Sequence, residues 1–178
     1  MEENIKLNLD SLNRLSPSAF EAIEKNPFVL VLDDVRSLNN VGSAFRTSDA
    51  FNVEKIYLCG ITGRPPHRDI EKTALGATET VAWEYHVNAF DLVTHLKTEG
   101  YEVVAVEQTT NSVSLADFKV KKGQKYAFIF GNEVFGVNEE LVKNAHFCLE
   151  IPQFGTKHSL NISVTVGIIS WEFMRQIL

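Results

Sequence analysis

Residues 28–46 read FVLVLDDVRSLNNVGSAFR, and this stretch decides the fold class. Its first five residues, Phe28 to Leu32, are all apolar and lack the alternation of a strand that exposes one face to water. Consecutive apolar positions are typical of a parallel strand that is covered on both faces. Beyond the acidic pair, residues at helical spacing predict a helix that begins near Asn40. The buried face of this helix is predicted to comprise Val41, Ala44, Phe45 and Ser48.

Apolar runs of strand length recur along the chain and alternate with helical stretches. This alternation predicts an α/β fold, with a parallel sheet and helices on both of its faces. The predicted strands are Phe28 to Leu32, Lys55 to Cys59, Val81 to Tyr85, Tyr101 to Val106, Tyr126 to Phe130 and His146 to Ile151.

Length and composition indicate one domain. The chain has 178 residues, of which 44% are hydrophobic, and this is enough for one core without disulfides or metals. We divide the chain into an N-terminal extension, residues 1–27, and a domain, residues 28–178. In the extension, Ser16 as cap and Pro17 as first helical residue predict a short helix that ends near Lys25.

The two cysteines, Cys59 and Cys148, lie in apolar runs and have no partner at metal-ligand spacing. We therefore expect buried thiols in a reducing compartment and no metal site. The chain starts with an acidic segment, and none of its apolar runs approaches the roughly 18 residues of a membrane span. The sequence thus predicts a cytoplasmic protein without a membrane segment.

The formal net charge of −6 disfavours a broadly basic nucleic-acid binder. Any RNA site must therefore be local, and two basic clusters are candidates. Each of them can also be interpreted as solvated surface. The first cluster surrounds a Pro-Pro loop and comprises Arg64, His67, Arg68 and Lys72. The second cluster precedes a strand and comprises Lys119, Lys121, Lys122 and Lys125.

The predicted final helix, from about Ser159 to Ile177, is apolar on nearly every side. Such a helix needs cover all round. One face can pack on the sheet, and the rest most simply packs against a second subunit across a two-fold axis. A homodimer is therefore expected.

Three segments combine glycine with polar side chains directly after predicted strands. Ligands of parallel α/β sheets bind at the carboxyl ends of the strands, which makes these segments the candidate site. The segments are residues 40–46 (NVGSAFR), residues 131–136 (GNEVFG) and residues 151–163 (IPQFGTKHSLNIS).

In this order and strand context, the three segments resemble the three motifs of the SpoU/TrmH-type RNA 2′-O-ribose methyltransferases of the SPOUT superfamily. The resemblance extends from about Phe28 to the C-terminus. It implies a parallel sheet with a C-terminal trefoil knot, S-adenosylmethionine as cofactor, and active sites formed in a homodimer. It also implies methyl transfer to a ribose 2′-hydroxyl in RNA. The compact chain favours tRNA over rRNA as the substrate.

By this resemblance, the catalytic residues are Arg46, Asn40, Glu133, Ser159 and Asn161. The guanidinium of Arg46 can stabilise charge that develops on the ribose oxygen, and Glu133 is expected to orient other groups rather than remove a proton. Structural alternatives exist for these residues. Arg46 can pair with Asp49 one helical turn away, and Asn40 and Ser159 can each cap a helix. Glu133 can simply favour a helix N-terminus.

The resemblance places the cofactor against the loops after the fourth, fifth and sixth predicted strands. An adenine needs an apolar slot and a few backbone hydrogen bonds, which these loops can supply. The cofactor-binding residues implied are Val106, Glu107, Gln108, Gly131, Ile151, Gln153, Ser159 and Leu160.

The chain departs from the family pattern at a few positions, such as Leu38 in place of a frequent proline, but no polar catalytic group is missing. Other classes fit poorly. A phospho-receiver domain needs an aspartate after its third strand, but here His86, Val87 and Asn88 follow that strand. A dehydrogenase would need the motif G-x-G-x-x-G after a strand and a serine hydrolase the motif G-x-S-x-G, and neither motif is present. The alternative left is a catalytically inactive knotted RNA-binding protein, which the intact Arg46, Glu133 and Asn161 disfavour.

Overall fold

One parallel sheet organises the computed structural model, which describes residues 3–8 and 15–178. In this part of the chain the strands are β1 (Asn26–Asp33), β2 (Val53–Cys59), β3 (Trp83–His86), β4 (Tyr101–Val106), β5 (Val113–Ser114), β6 (Lys125–Phe130) and β7 (Phe147–Glu150). They lie in the order β3-β2-β1-β6-β4-β7-β5, and every neighbouring pair is parallel.

Helices cover both faces of this sheet, which confirms the predicted α/β class. In the described residues they are α1 (Pro17–Ala22), α2 (Leu38–Ala50), α3 (Arg68–Ala74), α4 (Ala89–Thr98), α5 (Glu139–Asn144) and α6 (Ile162–Ile177). Buried residues of α2, α3 and α6 form one core with the sheet, and those of α4 and α5 form a second core on the opposite face.

This double cover explains why β1 is apolar at consecutive positions. Phe28, Leu30 and Leu32 belong to the core under α2 and α6, whereas Val29 and Val31 belong to the core under α4 and α5. Because β1 pairs with β2 on one side and with β6 on the other, its carboxyl end lies well inside the sheet and not at its border.

All six predicted strands are present, with bounds that differ from the prediction by at most two residues. The additional strand, β5, was not predicted. It has only two residues, too few to show any periodicity, and it forms through parallel pairing of Val113 with Leu149 of β7. Its existence therefore depends on tertiary structure.

Helix α2 has the predicted buried face, comprising Val41, Ala44, Phe45 and Ser48. It begins at Leu38 instead of near Asn40, because Ser37 is the cap and its hydroxyl accepts a hydrogen bond from the Asn40 backbone nitrogen at 3.3 Å. On this helix Gly42 lies so close to α3 that a Cβ atom would collide with the carbonyl of Ile70. The two helices are therefore held tightly together.

Helix α6 carries the chain from β7 back under the middle of the sheet, where the ring of Phe173 lies 4.5 Å from that of Phe28. It begins at Ile162 and not near Ser159 as predicted, because Asn161 is the cap and accepts a hydrogen bond from the Ser163 backbone nitrogen at 2.8 Å. Residues 151–161 therefore form a loop.

The predicted cap Ser16 is confirmed, since its hydroxyl accepts a hydrogen bond from the Ala19 backbone nitrogen at 3.2 Å. Helix α1 nevertheless ends at Ala22, short of Lys25, because Ile23 has an extended backbone. The rest of the predicted N-terminal extension, residues 1–27, lies partly outside the described residues.

Both cysteines, Cys59 and Cys148, are free and buried, as expected. Within residues 3–8 and 15–178, no helix is long and apolar enough to cross a membrane. The same residues contain no group of three side chains that could hold a metal ion.

Candidate functional site

Four loops meet at the carboxyl edge of the sheet, because the strands before them are neighbours in the order β1-β6-β4-β7. The strands are parallel, so their carboxyl ends lie at the same edge. The loops comprise residues 34–37, 131–138, 107–112 and 151–161. The three motif segments found in the sequence therefore come together here.

The carboxylate of Glu133 joins the loop after β6 to the start of α2. Its Oε2 atom accepts a hydrogen bond from the backbone nitrogen of Arg36 at 2.9 Å. Its Oε1 atom accepts hydrogen bonds from the backbone nitrogen of Ser37 and from Nδ2 of Asn40, both at 3.0 Å. Burial raises the pKa of Glu133, but these hydrogen bonds outweigh burial and the net pKa lies below the ordinary value. Glu133 is therefore held as an ionised acceptor.

Asn40 extends this network to the third motif. Its Nδ2 atom donates to Glu133, and its Oδ1 atom accepts a hydrogen bond from Nδ2 of Asn161 at 3.2 Å. The alternative role of Asn40 as a helix cap is wrong, because Ser37 caps α2 and Asn40 lies in the first turn. The capping alternative for Ser159 is also wrong, because α6 is capped by Asn161. We call Arg36, Ser37, Asn40, Glu133 and Asn161 the Glu133 junction.

The segment from Gly131 to Gly136 is fastened above the end of β6. The backbones of Asn132 and Gly136 exchange two hydrogen bonds, at 3.0 and 2.9 Å, and Nδ2 of Asn132 donates to the Asp34 carbonyl at 2.8 Å. Gly136 has φ of +71°, and a Cβ atom on Gly131 would collide with the Gly136 backbone. Both glycines are thus required by the close approach of the chain to itself.

A cavity of about 730 Å³ opens beside the Glu133 junction. Its volume falls within the range of about 300 to 1,000 Å³ that is usual for small-molecule sites. Glu133 and Asn161 line it, whereas Asn40 and Arg46 do not. All eight residues predicted to bind the cofactor also line this cavity: Val106, Glu107, Gln108, Gly131, Ile151, Gln153, Ser159 and Leu160.

Polar groups in the cavity wall are themselves held in place. The Oε1 atom of Glu107 accepts a hydrogen bond from the Gln108 backbone nitrogen and its Oε2 atom accepts one from Val137, both at 2.9 Å. Each of these oxygens retains a lone pair for a ligand hydroxyl. The Nε2 atom of Gln108 donates to the His158 carbonyl at 3.2 Å, which ties the loop after β4 to the loop after β7.

Several cavity residues were missed by the sequence analysis. Thr165 of α6, Val142 of α5 and Phe135 of the second motif line the cavity, although none directly follows a strand. Arg36 was missed as well, because it enters the Glu133 junction through its backbone, and backbone groups leave no trace in the sequence. The only available signal was spacing, since Thr165 lies one helical turn beyond Asn161.

The side chain of Arg46 is exposed on α2. Within residues 3–8 and 15–178, its guanidinium forms no hydrogen bond and no ion pair. The alternative pairing with Asp49 is absent, because the Asp49 carboxylate instead accepts a hydrogen bond from the Thr80 hydroxyl at 2.8 Å. Arg46 is therefore available to a ligand or to another chain.

The arginine-containing cluster follows β2, so it lies on the side of the sheet where the carboxyl ends of the strands and the cavity are. It is next to β2 and β3, whereas the cavity is next to β6, β4 and β7. The guanidinium of Arg64 stacks 4.1 Å from the ring centre of Tyr85. His67 caps α3, since its Nδ1 atom accepts a hydrogen bond from the Asp69 backbone nitrogen at 3.2 Å. Arg68 and Lys72 are exposed on α3. None of these four basic residues lines the cavity.

The lysine cluster lies at the opposite edge, because it leads into the amino end of β6. Lys121 pairs with Glu102 at 2.7 Å and Lys125 pairs with Glu54 at 3.7 Å. Lys121 and Lys125 are engaged in ion pairs, and none of the four lysines lines the cavity. Both observations support the interpretation of this cluster as solvated surface.

Asp33 ends β1, three residues before Arg36, and only 8% of its surface is exposed. Burial raises the pKa of Asp33 to about 6, and the neighbouring charge of Asp34 adds to the rise. Compared with the unfolded chain, the folded protein therefore favours the neutral form of the Asp33 carboxyl group.

Comparison with known proteins gives consistent matches. A model of the SpoU rRNA Methylase family matches residues 27–171. A tRNA (guanosine(18)-2′-O)-methyltransferase from Aquifex aeolicus is 30% identical over 88% of this chain and 74% of its own length. A 23S rRNA (guanosine-2′-O-)-methyltransferase RlmB from Neisseria meningitidis is 27% identical over 88% of this chain and 61% of its own length.

Among solved structures, the AdoMet-bound rRNA methyltransferase from Sinorhizobium meliloti matches with a TM-score of 0.80 and 29% identity. The match covers 93% of this chain and 62% of that one. The chain thus spans between 61% and 74% of the length of these three proteins.

We expect Asp33→Asn to stabilise the protein more at about pH 8 than at about pH 4.5, on either side of the raised pKa. The folded pKa of Asp33, about 6, exceeds the ordinary 3.8. The neutral carboxyl group therefore stabilises the fold at low pH, and this contribution is lost as the pH rises through the folded pKa. Asparagine resembles the neutral form at every pH.

Thermal denaturation of variant and wild type at the two pH values measures this effect. Asp117→Asn is the matched control, because it removes an exposed carboxylate. A difference in Tm between Asp33→Asn and the wild type that is the same at both pH values contradicts the interpretation.

Proposed function

The chain belongs to the SpoU rRNA Methylase family, and we propose that it transfers a methyl group from S-adenosylmethionine to a ribose 2′-hydroxyl in RNA. The observation that carries the proposal is the Glu133 junction, where Asn40 of the first motif bonds to Glu133 of the second and Asn161 of the third. Glu133 and Asn161 in turn line a cavity of suitable volume. Relatives named as methyltransferases of tRNA and of rRNA support the same reaction.

The cavity residues fit S-adenosylmethionine. Val106, Ile151 and Leu160 provide apolar surface for an adenine, and Glu107 and Gln108 provide polar groups for the ribose and the amino acid part. Gly131 lines the cavity with its main chain only, because the backbone of Gly136 fills the space that a side chain would take. When bound, S-adenosylmethionine supplies an electrophilic methyl group carried on a sulfonium.

Glu133, Ser159 and Arg46 each have a proposed role in the reaction. Glu133 accepts three hydrogen bonds, so it positions Asn40 and the start of α2 and does not remove a proton. The hydroxyl of Ser159 lines the cavity and has no hydrogen-bond partner in the described residues, which leaves it available to the substrate hydroxyl. Arg46 supplies the positive charge that stabilises the reacting oxygen.

The finer parts of the proposal are a trefoil knot in the C-terminal segment and a domain that covers residues 28–178 after an extension of residues 1–27. The knot is proposed from the resemblance to the SpoU/TrmH-type enzymes, and the return of α6 from β7 to pack under β1 and β6 is compatible with it. We propose tRNA as the substrate, and the relatives named as tRNA (guanosine(18)-2′-O)-methyltransferases from Borreliella burgdorferi and Aquifex aeolicus support this choice. The two buried free cysteines favour the cytoplasm as the location.

We also propose a homodimer that forms across α6. Val164 and Trp171 on this helix are 50% and 52% exposed, although both are apolar. Helix α2 packs on α6 and bears Arg46, which does not line the cavity of its own chain. A dimer across α6 therefore brings Arg46 close to the boundary between the subunits.

Light scattering should give a mass of twice the 20.0 kDa of one chain. Trp171→Arg should shift the mass towards the monomer, because a charge would be buried between the subunits. Val87→Arg is the matched control, since Val87 is 81% exposed and follows β3, away from α6. A wild-type monomer at micromolar concentration rules out the dimer.

Arg46→Ala should lower turnover by a factor of about 100 to 1,000, the usual cost of losing one preorganised charge stabiliser. Lysine should not restore activity, because a point charge cannot reproduce the two-pronged contact of a guanidinium. The assay is transfer of labelled methyl from S-adenosylmethionine to total RNA from cells that lack the gene.

In parallel, S-adenosylmethionine should raise the Tm of the wild type and of Arg46→Ala by the same amount, because the cavity is intact in both. If the turnover of Arg46→Ala is within about threefold of that of the wild type, Arg46 has no catalytic role. A wild type that binds S-adenosylmethionine and RNA without methyl transfer establishes the inactive RNA-binding alternative.

Arg64, His67, Arg68 and Lys72 form the proposed RNA-binding surface, on the side of the sheet where the carboxyl ends of the strands and the cavity lie. Neutralising Arg64, Arg68 and Lys72 together should weaken RNA binding and reduce its salt dependence by about two to three units of slope, as expected for three lost phosphate contacts. Binding of S-adenosylmethionine should not change.

The charge-matched control neutralises Lys119, Lys121 and Lys122 at the opposite edge of the sheet. Filter binding at several salt concentrations provides the measurement. If the two triple variants weaken RNA binding equally, the arginine-containing cluster contributes no more to RNA binding than other surface charges do.

A further inference from the structure

Two side chains beside the Glu133 junction have no role in the site described above. The first is Arg36. Its backbone nitrogen is fixed by Glu133 at 2.9 Å, while its side chain is exposed. Within residues 3–8 and 15–178, the guanidinium of Arg36 has neither a hydrogen bond nor an ion pair. A cation is therefore held near the cavity on a fixed backbone and without a counter-charge.

The second side chain is that of Phe135, which lines the cavity and is nevertheless 86% exposed. Its backbone is fixed, because the backbone nitrogens of Val134 and Phe135 donate to Oδ1 of Asn132 at 2.9 and 3.2 Å. The two backbone hydrogen bonds between Asn132 and Gly136 close the same loop. The ring of Phe135 is thus presented to solvent by a loop that loses little further freedom on binding.

Glu133 connects these two side chains. Phe135 follows Glu133 by two residues, and the backbone of Arg36 is bonded directly to the Glu133 carboxylate. A flat apolar ring and a free guanidinium therefore flank one fixed point at the edge of the cavity. Together they match the two parts of a nucleotide, since aromatic rings stack on bases and guanidinium groups bind phosphate.

We propose that Arg36 and Phe135 hold one nucleotide of single-stranded RNA at the cavity, with the base on Phe135 and a phosphate on Arg36. The inference rests on the proposed function, for which it supplies a positioning device. Unstacked bases are available in loops of RNA and not in continuous duplex. The device therefore selects loop nucleotides as substrates.

A second copy of the chain is a poorer match for this surface. Along the chain, Phe135 stands between the exposed Val134 and Gly136, and the polar residues Asn132, Glu133 and Asn138 lie two or three positions away. The core of a subunit interface is instead depleted of charge and rich in apolar groups, as is the exposed side of α6. A single ring beside a guanidinium fits RNA better.

The test compares Arg36→Ala, Phe135→Leu and Phe135→Tyr with wild type. Lys122→Ala is the charge-matched control at the opposite edge of the sheet. Affinity for a short, labelled single-stranded RNA of mixed sequence is measured by fluorescence anisotropy at several salt concentrations. KM for total RNA and kcat are measured by methyl transfer.

Phe135→Leu should weaken RNA binding about tenfold without changing its salt slope, because leucine keeps apolar bulk but cannot stack. Phe135→Tyr should bind as the wild type does. Arg36→Ala should weaken binding and reduce the salt slope by about one unit. Both losses should raise KM for RNA by a larger factor than they lower kcat.

The inference is overturned if Arg36→Ala and Phe135→Leu bind RNA with the same affinity as Lys122→Ala. It is also overturned if either substitution changes the mass measured by light scattering, because Phe135 would then contact a second copy of the chain. Equal losses in S-adenosylmethionine affinity also overturn it, because the loop would then have lost its structure. Anisotropy tests the pair independently of turnover. Absence of methyl transfer by the wild type thus refutes the proposed function alone.

Discussion

The three hydrogen bonds accepted by Glu133 determine how the candidate site is assembled. Two of the donors are backbone groups of the turn after β1, and the third is the side chain of Asn40. Without this carboxylate those donors would lose their partners within the protein. Because Asn40 also bonds to Asn161, this network joins the start of α2 to two segments that lie 93 and 121 residues further along the sequence.

Helix α6 serves the core, the site and the surface at once. Phe173 packs against Phe28 inside the core, and Asn161 both caps the helix and enters the Glu133 junction. Val164 and Trp171 remain half exposed on the outside. A change in the position of this helix would therefore alter the core, the cavity wall and the proposed subunit boundary together, because tightly packed interiors transmit small shifts.

The errors of the sequence analysis have a common physical cause. Near the start of α2, both Ser37 and Asn40 can cap a helix, and near the start of α6 both Ser159 and Asn161 can do so. Asn40 does not cap because its amide is engaged by Glu133, and Ser159 does not cap because it lies in the cavity wall. The choice between two suitable residues was made by partners that are distant in the chain. The same holds for β5, which exists only through its pairing with β7.

The sequence by itself determined the α/β class, six of the strands, the buried face of α2 and the three segments of the site, because burial on two faces and helical periodicity are local properties of the chain. It also indicated eight of the residues that line the cavity, through their resemblance to known motifs. Only the tertiary structure decided that Glu133 accepts hydrogen bonds from the start of α2 and that Arg46 lies outside the cavity of its own chain. It also decided that Arg36 and Phe135 both lie next to Glu133. These features depend on the strand order, which brings together groups that no local pattern connects.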